Sequence, residues 1–206
     1  MARDPPRHHP CPSGPAAPAG APLTRGDLWV RPTRRDEVEV LPGIERSAGA
    51  LFRTVPELAW IADDRVLPVA AHLEAVRAGT SWVVGDGADP APWGFLCAEP
   101  VERTLHLSQL AVRLAQQRRG GGRGLVRTAI AWARSRHYHA LTLTTFRDLG
   151  WNAPFYATLG FRVLEEDQLG SRLCAVLRHE AEHGLAPERR CAMRLSLTET
   201  SGSDPD

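Results

Sequence analysis

The chain contains no lysine; all 25 of its Lys/Arg positions are arginine. That excludes the Gly-Lys-Ser/Thr phosphate loop, whose lysine reaches the terminal phosphates. Together with abundant Ala, Gly and Pro it suggests a high-GC bacterial genome. The four cysteines, Cys11, Cys97, Cys174 and Cys191, are far apart and form no Cys-x-x-Cys pair. Neither a structural zinc site nor a disulfide framework is expected, and no metal is required. No apolar run approaches the roughly 20 residues of a membrane-spanning helix. No signal-peptide core stands near Met1. The formal net charge is only +1, which gives no electrostatic case for nucleic acid or an acidic membrane. The expectation is a cytoplasmic protein.

What is present is 206 residues, 43% of them apolar, enough for one domain with a real core. Residues 1–26 are rich in Pro, Ala, Gly and Arg and poor in aliphatics. Such a segment buries too little surface to offset its ordering entropy, so a disordered tail is expected. Residues 198–206 read as a second polar tail, which leaves residues 27–197 as the domain. Leu28–Pro32 reads as a strand. A helix-prone stretch from Arg34 to about Thr54 is expected to break at Pro42-Gly43. A short helix over Val69–Ala78 follows, then strands at Ser81–Val84, Trp93–Ala98 and Thr104–Val112. A helix from Leu125 to Arg136 has an inner stripe of Leu125, Ile130, Trp132 and Ala133. Beyond it lie a buried strand at Ala140–Thr145, a short helix at Trp151–Leu159 and a strand at Phe161–Leu164. A charged amphipathic helix at Arg172–His183 precedes a closing strand at Cys191–Leu197. No internal repeat is visible.

The most informative stretch is Gln117-Arg118-Arg119-Gly120-Gly121-Gly122, continued by Arg123-Gly124. It links a strand to a helix. Free N–H groups and the helix dipole make such a turn a natural anion cradle, and glycine lets the backbone approach the anion. Arg118, Arg119 and Arg123 add charge at the rim. The spacing does not match Gly-x-Gly-x-x-Gly from either Gly120 or Gly122, which disfavours a dinucleotide turn. What remains is Gln-x-x-Gly-x-Gly. That pattern resembles the acetyl-CoA pyrophosphate loop of the GNAT superfamily of N-acetyltransferases. Gln109-Leu110-Ala111-Val112 resembles the end of the superfamily's fourth strand. Asn152 through Tyr156 to Gly160-Phe161 resembles its signature of an Asn ahead of Tyr-x-x-x-Gly-Phe. The likeness covers roughly Leu28 to Leu197.

The resemblance implies an α/β (α+β) fold with a mixed, mostly antiparallel central sheet flanked by helices. It implies transfer of an acetyl or short acyl group from acetyl-CoA to a primary amine, by direct attack in a ternary complex. The acceptor would be a small-molecule or peptide amine, and homodimers are frequent in the superfamily. The loop from Gln117 to Gly124, with Leu110, Ala111, Val112, Asn152 and Tyr156, would hold CoA. The backbone N–H of Leu110 would face the thioester oxygen, where negative charge develops. Tyr156 would stand beside the CoA sulfur as the proton donor to the leaving thiolate; packing under Phe161 is its other reading. Asn152, one helical turn earlier, would bond the pantetheine arm or cap its helix.

A base is harder to find. Members often carry a Glu on the fourth strand, and here that stretch is His106-Leu107-Ser108-Gln109. His106 has the right unperturbed pKa, near 6.5, and plain alternation would put it on one face with Ser108 and Leu110. A water chain through Ser108, or no dedicated base, are the other options. The missing Glu keeps alive an alternative, a CoA-binding regulatory or structural module with impaired catalysis. Trp60 and Trp82 are expected in the core, and His137 and His139 in solvent. Arg147 and Asp148, at a strand's end, would border the pocket or form an ion pair at its mouth. The acceptor would be chosen by residues 34–69 and 165–190.

Overall fold

The computed structural model describes residues 28–87 and 89–197. The two expected tails, residues 1–26 and 198–206, lie outside the described residues. The chain forms strand β1 (Leu28–Pro32), helix α1 (Leu41–Gly49), helix α2 (Val69–Arg77), and strands β2 (Ser81–Asp86), β3 (Asp89–Val101) and β4 (Thr104–Val112). Then follow α3 (Gly121–Ser135), β5 (Ala140–Phe146), α4 (Ala153–Ala157), β6 (Arg162–Val163), α5 (Ser171–Glu182) and β7 (Arg190–Ser196). One sheet joins the strands in the order β1-β2-β3-β4-β5-β7-β6. Its pairs are antiparallel except β4 with β5, which is parallel. A parallel neighbour needs a crossover, and α3 supplies it. This is the mixed, mostly antiparallel sheet that the sequence led us to expect.

Alternation along β3 builds a core on each face of the sheet. Leu96 and Ala98 point one way, to a cluster with Leu125, Val126, Ala129 and Ala133 of α3. Phe95 and Cys97 point the other way, to Leu41 and Ile44 of α1. Leu41, Ile44, Phe95 and Leu96 are wholly buried, and each such side chain is worth about 1.5–3 kcal/mol of transfer free energy. A third, smaller cluster of Leu58, Phe146 and Leu149 lies at the outer end of β5.

Some boundaries differ from those expected. Pro42 does not interrupt a helix; it stands in the first turn of α1, where its missing N–H costs nothing. The break falls just before, where a 3-10 stretch at Arg35–Val40 ends. Two more 3-10 stretches, Ala50–Thr54 and Pro56–Asp63, carry the chain toward α2. Helix α3 starts four residues earlier than its apolar stripe, at Gly121, behind Gly120 at φ +94°. A β-carbon on Gly121 would lie 2.4 Å from the Trp93 ring, so glycine is what lets the helix start there. Trp82 is buried as expected, but Trp60 is not a core residue; it is 40% exposed.

Close packing of the same kind fixes the free edge of the sheet. Trp29 of β1 lies across Gly85 of β2 and donates from Nε1 to the Asp86 carbonyl at 3.0 Å. A β-carbon on Gly85 would stand 2.0 Å from Trp29 Cζ2. Gly85→Ala must therefore push the indole off the strand. We expect a loss of about 1–3 kcal/mol in urea unfolding. An unchanged midpoint would show that Trp29 moves aside without cost.

Candidate active site

Strands β4 and β5 pair only over Thr104–Ala140, Leu105–Leu141 and His106–Thr142. Beyond His106 they separate. On its other side β4 stays paired with β3 as far as Val112, and the Arg113 N–H continues that ladder to the Trp93 carbonyl at 2.8 Å. Antiparallel residues alternate in the direction of their hydrogen bonds. Arg113, Ala111 and Gln109 thus face β3, while Leu110 and Val112 turn their backbone groups into the gap. Gln117 confirms this direction, since its Nε2 donates to the Val112 carbonyl at 3.1 Å. The gap opens into a cavity of about 1250 Å³.

The cavity gathers most of the residues singled out in the sequence. Leu110, Ala111, Val112, Gln117, Arg118, Gly120, Gly121, Gly122, Arg123, Asn152 and Tyr156 all line it. Arg119 and Gly124 do not. Arg119 is held at the back of the turn by Asp86 at 3.1 Å and by Gln116, with its guanidinium 5.7 Å from the Trp93 ring centre. The Gly124 N–H closes the first turn of α3 on the Gly120 carbonyl. The N–H groups of Gly121, Gly122 and Arg123 precede that bond and have no carbonyl one turn earlier. Arg123 bonds Thr158 Oγ1 at 2.8 Å.

Asn152 does not cap α4 with its side chain. Its Nδ2 donates to Thr145 Oγ1 at 2.8 Å, and its buried Oδ1 has no partner among the described residues. A buried unpaired acceptor on a cavity wall is costly unless something donates to it. Tyr156 sits one turn on, its N–H bonded to the Asn152 carbonyl. Its ring packs edge-on against Phe155 and Phe161, so it is a packing residue and a cavity residue at once. Burial pushes the phenol pKa well above its ordinary value, with Arg190 pulling weakly the other way. The hydroxyl therefore keeps its proton at neutral pH.

His106 is placed otherwise than plain alternation implies. The β3–β4 register shifts between Cys97 and Ala98, leaving Ser108 without a partner of its own. This bulge reverses the phase of the strand. Leu105 and Leu107 share the α3 face with Leu110 and Val112, so His106 does not share a face with Leu110. It is 6% exposed, lies 3.1 Å through Nδ1 from Thr142 Oγ1, and is not part of the cavity wall. Burial, helped by the Arg172 charge, lowers its pKa to about 4.

Two carboxylates on the wall were missed in the sequence. Glu45 of α1 accepts from Gln109 Nε2 at 2.5 Å and from the Leu67 N–H at 3.0 Å. Burial raises its pKa; the two hydrogen bonds and Arg46 oppose that rise. Glu180 of α5 accepts from Thr144 Oγ1 at 2.6 Å and pairs with Arg190 through two bonds of 2.8 and 2.9 Å. Neither Glu belongs to a local motif. Only the fold brings α1 and α5 to the cavity, although both lie in the segments expected to choose the acceptor. Asp148 pairs with Arg189 at 2.7 Å, and neither Arg147 nor Asp148 lines the cavity. Among the described residues no cluster of three His, Cys, Asp or Glu could hold a metal, and no helix is long and apolar enough to cross a membrane.

A glycine turn opening a helix beside a splayed strand pair defines an acyl-CoA transferase class of fold. The family model for the "Acetyltransferase (GNAT) family" matches residues 51–161, and the chain belongs to that family. Solved structures agree in fold. The ribosomal-protein-S18-alanine N-acetyltransferase of Escherichia coli aligns over 87% of this chain and 99% of its own, at 15% identity and TM-score 0.59. The PaiA N-acetyltransferase of Thermoplasma acidophilum, solved with coenzyme A, aligns over 82% and 99%, at 14% identity and TM-score 0.60. A Mycobacterium tuberculosis protein in complex with CoA aligns over 82% and 99%, at 18% identity and TM-score 0.60.

The buried His106 has a consequence for stability. Its folded pKa of about 4 lies below the ordinary 6.5. Between those values the unfolded chain binds the extra proton. Its contribution is full above pH 6.5 and is lost as pH falls toward 4, by up to roughly 3 kcal/mol. His106→Gln, which keeps a partner for Thr142, should flatten the fall in urea midpoint between pH 6.5 and 4.5. An unaltered slope would mean that His106 is not desolvated in the folded protein. His72, also buried with a lowered pKa, should leave a residual slope.

Proposed function

We propose that the chain transfers an acetyl or short acyl group from acetyl-CoA to a primary amine, by direct attack within a ternary complex. The observation that carries this reading is the outward-turned backbone of Leu110 and Val112, in the same cavity as the glycine turn and Tyr156. The pantetheine arm lies along β4 in the gap, and the pyrophosphate rests on the first N–H groups of α3 with Arg118 and Arg123 nearby. Gln117 already occupies the Val112 carbonyl, so β4 offers the arm the Leu110 groups and the Val112 N–H. Asn152 Oδ1 accepts a further N–H from the arm.

The amine nitrogen attacks the thioester carbon while the Leu110 N–H takes up charge growing on the oxygen. The carbon–sulfur bond then breaks, and the departing thiolate takes the Tyr156 proton. Glu45 receives the proton that the nitrogen gives up; its raised pKa makes it a stronger base than an exposed carboxylate. Solvent exchanges both protons after release. Glu180 is engaged by Arg190 and Thr144, and His106 is off the wall, so neither takes this part.

Three variants test the reading. Gly122 has open room, since a β-carbon there would find its nearest neighbour, Phe155 Cζ, at 3.7 Å. Gly122→Val should fold yet obstruct the pyrophosphate, weakening CoA binding at least tenfold, about 1.4 kcal/mol. Unchanged affinity by calorimetry would remove the anion from this turn. Tyr156→Phe keeps the ring and should keep CoA affinity, while turnover falls about 10²-fold. Glu45→Gln should also lose turnover, but its defect should shrink as pH rises and more amine arrives neutral. Full turnover in both variants would refute the mechanism while leaving the fold untouched.

A further inference from the structure

The cavity has two ends of different chemistry. One is the glycine turn with its arginines. The other is walled by Phe52, Trp60, Ile61, Trp151 and Leu185. Trp60 and Trp151 are each 40% exposed, an unfavourable setting for two large apolar rings unless something covers them. Phe52 stands edge-on to Trp151, with ring centres 6.3 Å apart, and 5.5 Å from Phe146. Of the cations on the cavity wall, Arg190 is paired with Glu180 and lies 4.6 Å over the Phe146 ring, and Arg46 stands next to Glu45 in sequence. Arg65 and Asp64 stand side by side in sequence at the wall, with opposite charges. Glu45 adds negative charge. This end suits a cationic or neutral amine on a flat apolar body.

Two chain segments meet beside this end. A β-carbon on Gly184, just beyond α5, would lie 3.7 Å from Trp60 Cζ2. The 3-10 stretch carrying Trp60 and the turn after α5 therefore meet.

We propose, resting on the acetyl-transfer reading, that the acceptor is a small arylalkylamine whose ring stacks among Phe52, Trp60 and Trp151. An aromatic wall gains from a second ring placed edge-on or offset, and its faces attract an ammonium. A linear polyamine offers charge without a ring. An amino acid such as glutamate brings a carboxylate toward Glu45.

The test uses the full chain with acetyl-CoA and four acceptors: 2-phenylethylamine, spermidine, glutamate, and a short peptide with an N-terminal Phe. Thiol release gives kcat/KM for each. Calorimetry of each amine into the CoA-loaded protein gives binding apart from turnover. We expect 2-phenylethylamine to exceed the other three at least tenfold in kcat/KM and to bind most tightly. Trp60→Ala should raise its KM or Kd at least tenfold, Trp60→Phe should restore most of it, and CoA affinity should stay the same in both. Preference for spermidine, glutamate or the peptide overturns the proposal, as does a Trp60→Ala variant with unaltered KM and Kd, or failure of 2-phenylethylamine to bind. Tight binding of 2-phenylethylamine without thiol release upholds the aromatic site and overturns the transfer reading.

Discussion

Everything at the site depends on one parallel strand pair that fails to close. After three paired residues β4 and β5 part, and the backbone polar groups of Leu110 and Val112 are left facing a gap. Unpaired backbone in a protein interior costs free energy. It persists because both strands are held from their other sides, β4 by β3 and β5 by β7. The opening is thus held from both flanks by paired strands. A ligand that brings its own amides into the gap completes a ladder that the protein leaves incomplete. The glycine turn is then in the right place almost automatically, because the crossover from β4 to β5 must start where β4 ends.

The two halves of the cavity answer to different constraints. The turn and α3 are fixed by core packing: Gly121 lies against Trp93, and Leu125 and Val126 are wholly buried. The aromatic end rests on the small cluster of Leu58, Phe146 and Leu149 and on 3-10 stretches, whose hydrogen bonding is poorer than that of α-helices. The Glu180–Arg190 pair ties this side together. Its side chains are 16% and 9% exposed, so removing one partner would strand a buried charge.

Much of this was legible in the sequence because it is local. The turn, the helix after it and the Asn152–Phe161 block are contiguous, so their resemblance to the family's motifs could be read along the chain. The strands were legible through alternation and β-branched composition, and only their ends moved, as for β3, which runs on to Val101. The aromatic end and the two carboxylates were not legible. Glu45 and Glu180 lie 135 positions apart in sequence and reach one cavity only through the tertiary fold. Trp60 looked like a core residue, since an aromatic in an apolar stretch usually is one; a 3-10 stretch without a regular apolar face leaves it outside. His106 was misplaced because alternation was carried straight through Ser108, and no side-chain pattern signals a bulge in advance.

That bulge divides β4 into two functional territories. Before Ser108, side chains and backbone serve the sheet: Leu105 and Leu107 fill the core and His106 faces Thr142. After it, the same core face is occupied by Leu110 and Val112, whose main chain faces the gap. The inserted residue acts as a phase shifter between a structural frame and a ligand-facing frame within nine residues. A strand built this way is sensitive to insertion and deletion out of proportion to its tolerance of substitution. Side chains can be exchanged on either side of Ser108 while the frame persists, but a change of one residue in length between Leu107 and Leu110 would exchange which peptide groups bind β3 and which face the ligand.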